Sequence, residues 1–220
     1  MHLCLNLGYD AGDSVYDDPS TLADILEACQ FFLPEYQWKA VQLQNLEGKV
    51  VHIWNYLTAL AAMDGGEYFC LLADDVVVDT PDWVTRVMSV LGKNPLLANF
   101  GTVAFFDKQQ PGFPSFPCFH RTHLEVVGDL FAAMDPIFLN SFADPWISDV
   151  YAAFNSSFIP STIVLENKIG GNGNPQMPRY QQLRVGMEQY LDAVHRARRI
   201  AAQWLNKKVR AYYLCVCVYG

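Results

Sequence analysis

An α/β fold, a mostly parallel sheet with helices on both faces, is what this sequence predicts. Three observations carry that expectation. Short apolar runs alternate with helical periodicities up to Gly92, in the order strand, helix, strand, helix, strand, helix. That order is the pattern of a parallel sheet with right-handed crossovers. The third apolar run, Tyr68 to Leu72, is followed by Ala73 and two adjacent carboxylates, Asp74 and Asp75. A continuous apolar run reads as a strand buried on both faces, and ligands of open α/β sheets bind beyond the carboxyl ends of such strands. Finally, 51% of the 220 residues are hydrophobic and 14% aromatic, enough for one large domain with a well-buried core.

The elements follow in chain order. His2 to Tyr9 is a short apolar run and the first strand. Asp18-Pro19 supplies an N-cap and a first-turn proline, and Leu22, Ile25, Leu26 and Cys29 share one helical face up to about Leu33, where Pro34 stops the helix. Lys39 to Leu43 is the second strand. Val50, Trp54, Leu57 and Ala61 form the stripe of a second helix that Asp64-Gly-Gly ends. After the Tyr68 strand, Thr80-Pro81 opens a helix with Val84, Val87 and Leu91 on its buried face. Leu97 to Phe106 is apolar, and Gln109 to Pro117 is a Pro/Gly-rich loop. Phe131 to Phe142 is aromatic and irregular. A helix is expected over Asp144 to Ala153, a late strand over Phe158 to Leu165, a mobile loop over Asn167 to Pro178 and a long basic helix from Arg179 to about Arg210. The stretch from Ala211 onward is apolar and has no assignment.

The net charge of -8 argues against broad nucleic-acid binding. It is unevenly placed. From Arg179 onward eight Lys/Arg face only Glu188 and Asp192, a net of +6, and the remainder carries -14. The basic helix has two readings: a solvated face folded back on the acidic body, which is favoured, and contact with a membrane surface or a further domain. The domain organisation expected is a body over residues 1–180 and a basic tail over 181–220. Six cysteines, none in a Cys-x-x-Cys pair, read as core thiols in a reducing compartment. With no leader pattern and no apolar stretch of about 18 residues, a soluble, cytoplasmic chain is expected.

Four places could carry chemistry. Asp74-Asp75 suits a hard divalent cation bridging to phosphate, against a plain solvated acidic turn. His120-Arg121-Thr122-His123 offers possible metal ligands or acid/base groups and a phosphate-gripping guanidinium, against a polar turn. Asp144, beside Trp146, is a candidate general base, and equally a helix cap before Pro145. The glycine-rich stretch from Gly170 to Arg179 reads as a substrate loop or a plain connection.

Several motifs together resemble one family: Gly8-Tyr9-Asp10 through Asp17, Trp54-Asn55, Tyr68 through Asp75, Thr80-Pro-Asp-Trp83, Asn99-Phe-Gly101, His120-Arg-Thr-His123 and Trp146 through Tyr151. The chain looks like a GT-A-fold nucleotide-sugar glycosyltransferase domain, similar to those of large algal viruses and some algae, plants and protists. The likeness runs from about Gly8 to Tyr180. It implies a Rossmann-like mixed, mostly parallel sheet that lacks the family's first strand–helix unit, so that a sheet edge is exposed. It also implies Mn2+ or Mg2+ as cofactor, a nucleotide-sugar donor (UDP-sugar above others), and a glycan or glycoprotein acceptor. Asp75 then stands at the metal position of the Asp-x-Asp motif, whose first Asp is Ala73 here, and Asp74 faces the ribose or sugar. Gly8, Tyr9, Asp10 and Asn55 meet the base. His120, Arg121 and His123 line the diphosphate or acceptor side, with both histidines as further metal ligands, and Arg179 adds charge to the donor loop. Family members often read Asp-Asp-Trp where this chain has Asp144-Pro145-Trp146, which makes Asp144 the base of a hexosyl- or deoxyhexosyltransferase if the transfer inverts; a retaining transfer requires no such base. A nucleotide-sugar or glycan-binding domain without activity is the alternative.

Overall fold

The computed structural model describes residues 3–13, 15–34, 36–46, 48–73, 75–128, 142–168 and 186–218, with side chains to residue 209. Strands β1 (Leu3–Asp10) and β2 (Tyr36–Leu43) pair in parallel from Leu3 opposite Tyr36 to Asp10 opposite Leu43. Helix α1 (Pro19–Phe32) connects them, capped as its sequence predicts: Asp18 accepts the Ser20 N–H and Pro19 fills the first turn. Helix α2 (Val50–Met63) follows β2 and packs over β1.

The remaining strands form a second sheet. They are β3 (Tyr68–Cys70), β4 (Val76–Val78), β5 (Thr102–Asp107), β6 (Ser115–His120), β7 (Ser157–Phe158) and β8 (Val164–Asn167), in the order β3-β6-β5-β8-β4 with β7 also on β5. β5 pairs in parallel with β7 and β8, while β3–β6, β5–β6 and β4–β8 are antiparallel. The fold is α/β and its sheet is mixed, as expected, but not mostly parallel: three of its five pairings are antiparallel. One cause is local: the loop from Lys108 to Pro114 is too short for a crossover, so β6 must return antiparallel to β5. Among the described residues β3 has β6 as its single partner, and β1–β2 stand in a sheet of their own.

Three details differ from the sequence expectation. Helix α3 (Trp83–Gly92) starts after Thr80-Pro81, because the Thr80 hydroxyl accepts the Val164 N–H at 2.7 Å and ties β4 to β8 instead of capping. The late strand is two strands, broken at a turn in which the Ile163 N–H reaches the Pro160 carbonyl. The apolar stretch from Ala211 continues helix α6 (Met187–Val218). The expected segments over 131–141 and 169–178, and the helix start at Arg179, lie outside the described residues.

Side chains of the mixed sheet alternate between two cores, as strand geometry requires. On one face Phe69 and Phe119 meet α4 (Thr122–Val127), α5 (Ala143–Ala152) and α6, around the fully buried Trp146, Ile147 and Tyr151. On the other, Cys118, Val103, Phe105, Ile163 and Leu165 pack with Val87 and Leu91 of α3. The small residues Ala193, Ala197 and Ala201 let α6 approach the body closely. The basic helix therefore folds back, with Arg198 donating twice to the Asp149 carbonyl and Lys208 paired with Glu125 at 3.5 Å. Gly101 sits at φ +128, where a Cβ would lie 2.1 Å from the Ser156 carbonyl oxygen, so only glycine starts β5 here. Among the described residues no helix is long and apolar enough to cross a membrane.

Candidate functional site at the carboxyl end of the mixed sheet

Strand directions bring three aspartates to one end of the sheet. β3, β5 and β8 point the same way, so their carboxyl ends and the starts of β6 and β4 share an edge. β3 and β4 lie on opposite sides of that sheet. The residues between Cys70 and Val76 must therefore cross about four strand spacings, roughly 19 Å for a flat sheet and close to the reach of that many residues. The segment carrying Ala73 and Asp75 is thus drawn across the carboxyl end, held by Leu71 N–H on the Pro117 carbonyl (3.1 Å) and by Lys168 N–H on the Asp75 carbonyl (2.7 Å). Asp107, fully buried at the end of β5, accepts from the N–H groups of Gln109 (2.9 Å) and Asn167 (3.4 Å) and shapes the turn.

Asp144 belongs to the same end. It is the second residue of α5, behind Phe142 at φ 67, and it does not cap that helix. Its Oδ1 accepts the Phe116 N–H at 2.9 Å. Phe116 offers that N–H from φ 52, beside a register shift between Ala104 and Phe105. A non-glycine residue held there costs about 1–3 kcal/mol and is common at functional sites. As a residue Asp144 keeps partial exposure, but its carboxyl is set among packed protein. Desolvation pushes it from an ordinary 3.8 up to about 6, only partly opposed by the N–H groups of Phe116 and Asp144 itself.

Next to it in the chain, Pro145 lines a 450 Å3 cavity together with Phe113, Phe142, Asp149 and Tyr190, a lining that does not include Asp144 itself. The Phe142 and Tyr190 rings lie 4.9 Å apart, and the Tyr190 hydroxyl donates to the Asp149 carboxylate. Burial and that carboxylate hold the Tyr190 hydroxyl protonated, far above its ordinary range. Tyr190 and this cavity gave no signal in the sequence, since Tyr190 reads as one more residue of a helical stripe. Asp149 could have been found as the second acid of the Asp144–Asp149 run.

The structure does not bring His120, Arg121 and His123 to this end. Tyr68 opposes His120, so the cluster lies where β3 begins, at the far end from Asp75. His120 Nδ1 accepts the Thr122 N–H (3.1 Å) and lies 2.7 Å from its hydroxyl. A neutral imidazole engaged in this way keeps its proton on Nε2 and has no lone pair to give a metal. Burial holds His120 below its ordinary value, against the pull of Glu67 and Glu125. Arg121 donates through its backbone to the Glu67 carbonyl (2.7 Å) and through its guanidinium to the Ala62 carbonyl (3.4 Å). His123 is 1% exposed, 2.9 Å from the Tyr151 hydroxyl and packed on Phe119. These side chains close the core.

At the end of β1, Gly8 is where α2 comes down on the strand: a Cβ there would sit 2.9 Å from Leu57 and 3.1 Å from Ile53. Tyr9 packs on Tyr16. Asp10 accepts the Gly48 N–H at 3.4 Å just before α2, a place that favours negative charge. Its other oxygen, and the side-chain oxygen of Asn55, are buried without a hydrogen-bond partner. Two such acceptors ask for donors. Asp74 and Arg179 lie outside the described residues. Among those described, no group of three or more His, Cys, Asp or Glu could by itself hold a metal ion. Asp75 alone fits the sparser arrangement in which one or two carboxylates share a hard cation with substrate phosphates.

Fold and site together define an α/β protein with an acidic, aromatic-flanked site across the carboxyl end of a mixed sheet. Comparison with protein-family models, with curated proteins and with solved structures gave no match.

Proposed function

We propose that this chain is a metal-dependent glycosyltransferase of the GT-A kind, moving a sugar from a nucleoside diphosphate donor, a UDP-sugar, to a hydroxyl of a glycan or glycoprotein. The observation that carries the reading is Asp144, a carboxyl held near 6 at the same sheet end as Asp75 and one residue before Pro145, which lines an aromatic-walled cavity. A base poised near neutrality suits proton abstraction from an attacking hydroxyl.

In this reading the faces of Phe113, Phe142 and Tyr190 seat the acceptor sugar. Asp144 takes the acceptor hydroxyl proton on its carboxylate as the hydroxyl oxygen bonds to the anomeric carbon and the bond to the diphosphate breaks, an inverting transfer. Asp75 would hold Mn2+ or Mg2+, which supplies neutralisation of the charge on the leaving diphosphate. One of the unmet oxygens of Asp10 and Asn55 accepts the single N3–H of the uracil base. Asp74 and Arg179 join the donor side, and His120, Arg121 and His123 take no part.

Donor turnover with Mn2+ across pH tests this. Expected is a rate that rises with pH around 6, and a loss of about 10²–10⁴-fold in Asp144→Asn with that rise abolished. Turnover in Asp144→Asn equal to the unaltered chain would remove the base.

A second reading, a binding domain for nucleotide-sugar or glycan without turnover, is favoured by the separation of β1–β2, which carries Gly8, Tyr9 and Asp10, from the sheet that bears Asp75. Donor binding with no turnover at any pH would select it.

A further inference from the structure

Cys70 and Cys118 lie directly opposite each other on β3 and β6. The hydrogen bonds fix which kind of pair they make. Arg121 N–H reaches the Glu67 carbonyl and Leu71 N–H the Pro117 carbonyl, so positions 67, 69 and 71 are the hydrogen-bonded sites of this ladder. Cys70–Cys118 is therefore a non-hydrogen-bonded pair, the kind whose Cα atoms approach to about 4.5 Å. That lies at the short end of the Cα range a disulfide spans. Both side chains point into the same core, toward α3, and the Cys118 thiol feels that of Cys70. Cys118 is buried, whereas Cys70 keeps partial exposure.

We propose that Cys70 and Cys118 are a reversible redox pair that closes to a cross-strand disulfide on reaction with a low-molecular-weight disulfide such as oxidised glutathione. The thiolate of Cys70, the sulfur that solvent reaches, attacks one glutathione sulfur. A mixed disulfide forms at Cys70 and one glutathione thiolate leaves, taking up a proton. Cys118 then loses its proton to solvent and its sulfur attacks that of Cys70, which expels the second glutathione. Two protein thiols are oxidised and one oxidised glutathione becomes two reduced ones. Burial and the neighbouring sulfur push the Cys118 thiol well up, which slows the closing step without preventing it. The partial exposure of Cys70 leaves its sulfur open to attack by a reducing thiol, which makes the pair reversible. The link fastens β3 three residues before Ala73, and it does not depend on what the neighbouring site does.

The test is disulfide mapping of the full chain, kept native in excess oxidised glutathione, then alkylated and digested without reduction. Expected is a peptide pair joined through Cys70 and Cys118 as the dominant product, two hydrogens lighter than the separate peptides and released by dithiothreitol. Cys70→Ser should give no link and leave Cys118 an unmodified thiol. A glutathione adduct that stays on Cys70 beside a free Cys118, two thiols unchanged in the folded chain, or a 70–118 link seen only after urea unfolding would each overturn the proposal. Circular dichroism of the same samples establishes which of them are folded.

Discussion

The two ends of β3 are unlike. Where it begins, the neighbouring polar groups are satisfied by protein: His120 by Thr122, the Arg121 backbone by Glu67, His123 by Tyr151. Where it ends, the chain holds Phe116 and Phe142 at positive φ, raises the pKa of a carboxyl, and leaves a cavity open. Polar groups that satisfy each other stabilise a fold. Groups held in costly states are kept for something else. In the proposed reading the first end serves stability and the second chemistry.

The largest effect should come from the quiet end. His123→Ala opens a cavity beside Phe119 and leaves the buried Tyr151 hydroxyl unsatisfied, a loss of about 2–4 kcal/mol in urea unfolding, with donor turnover per folded molecule unchanged. Lost turnover at unchanged stability would break the contrast.

Asp144→Asn should act in the opposite sense. Folding raises this pKa, so the native state holds the proton more tightly than the unfolded chain. Its contribution is greatest below about 3.8 and is lost as pH climbs through about 6. At neutral pH the charged, buried carboxylate costs ~1–3 kcal/mol. Asparagine keeps an oxygen for the Phe116 N–H and carries no charge. The variant should therefore be the more stable at pH 7 by that amount, with the advantage gone near pH 4, as read by thermal melts across the range. A constant difference at every pH would place the carboxyl in water. The smallest effect belongs to Arg121→Met, whose guanidinium hydrogen bond among the described residues is long, at 3.4 Å, which predicts under about 1 kcal/mol and no change in salt dependence of donor binding.

Much of this was legible beforehand, where one local rule decides. Asp18-Pro19 announced α1, and Val50 with Trp54, Leu57 and Ala61 announced α2. The Tyr68 run announced β3, though not that it stands at an edge of the sheet, and it announced the end at which Asp75 lies. What stayed hidden depends on long-range pairing. Strand β4 is only three valines behind two aspartates, and its partner β8 lies some ninety residues on. The mixed character of the sheet follows from which strand β6 chose, which no periodicity reports. The His120–His123 cluster lies at the opposite end of β3 from Asp75, because sequence spacing does not say which way a neighbouring strand runs. Tyr190 reached the cavity only through the docking of α6.

The contrast is tested most directly by Mn2+ titration of the folded chain in the presence of UDP, followed by the loss of the free-ion electron paramagnetic resonance signal. Compared are the unaltered chain, Asp75→Ala and His120→Gln. Asp75→Ala should weaken Mn2+ binding by at least about tenfold, roughly 1.4 kcal/mol, while His120→Gln leaves it unchanged. Binding lost in His120→Gln and kept in Asp75→Ala would move the site to the other end of the strand and contradict the assignment.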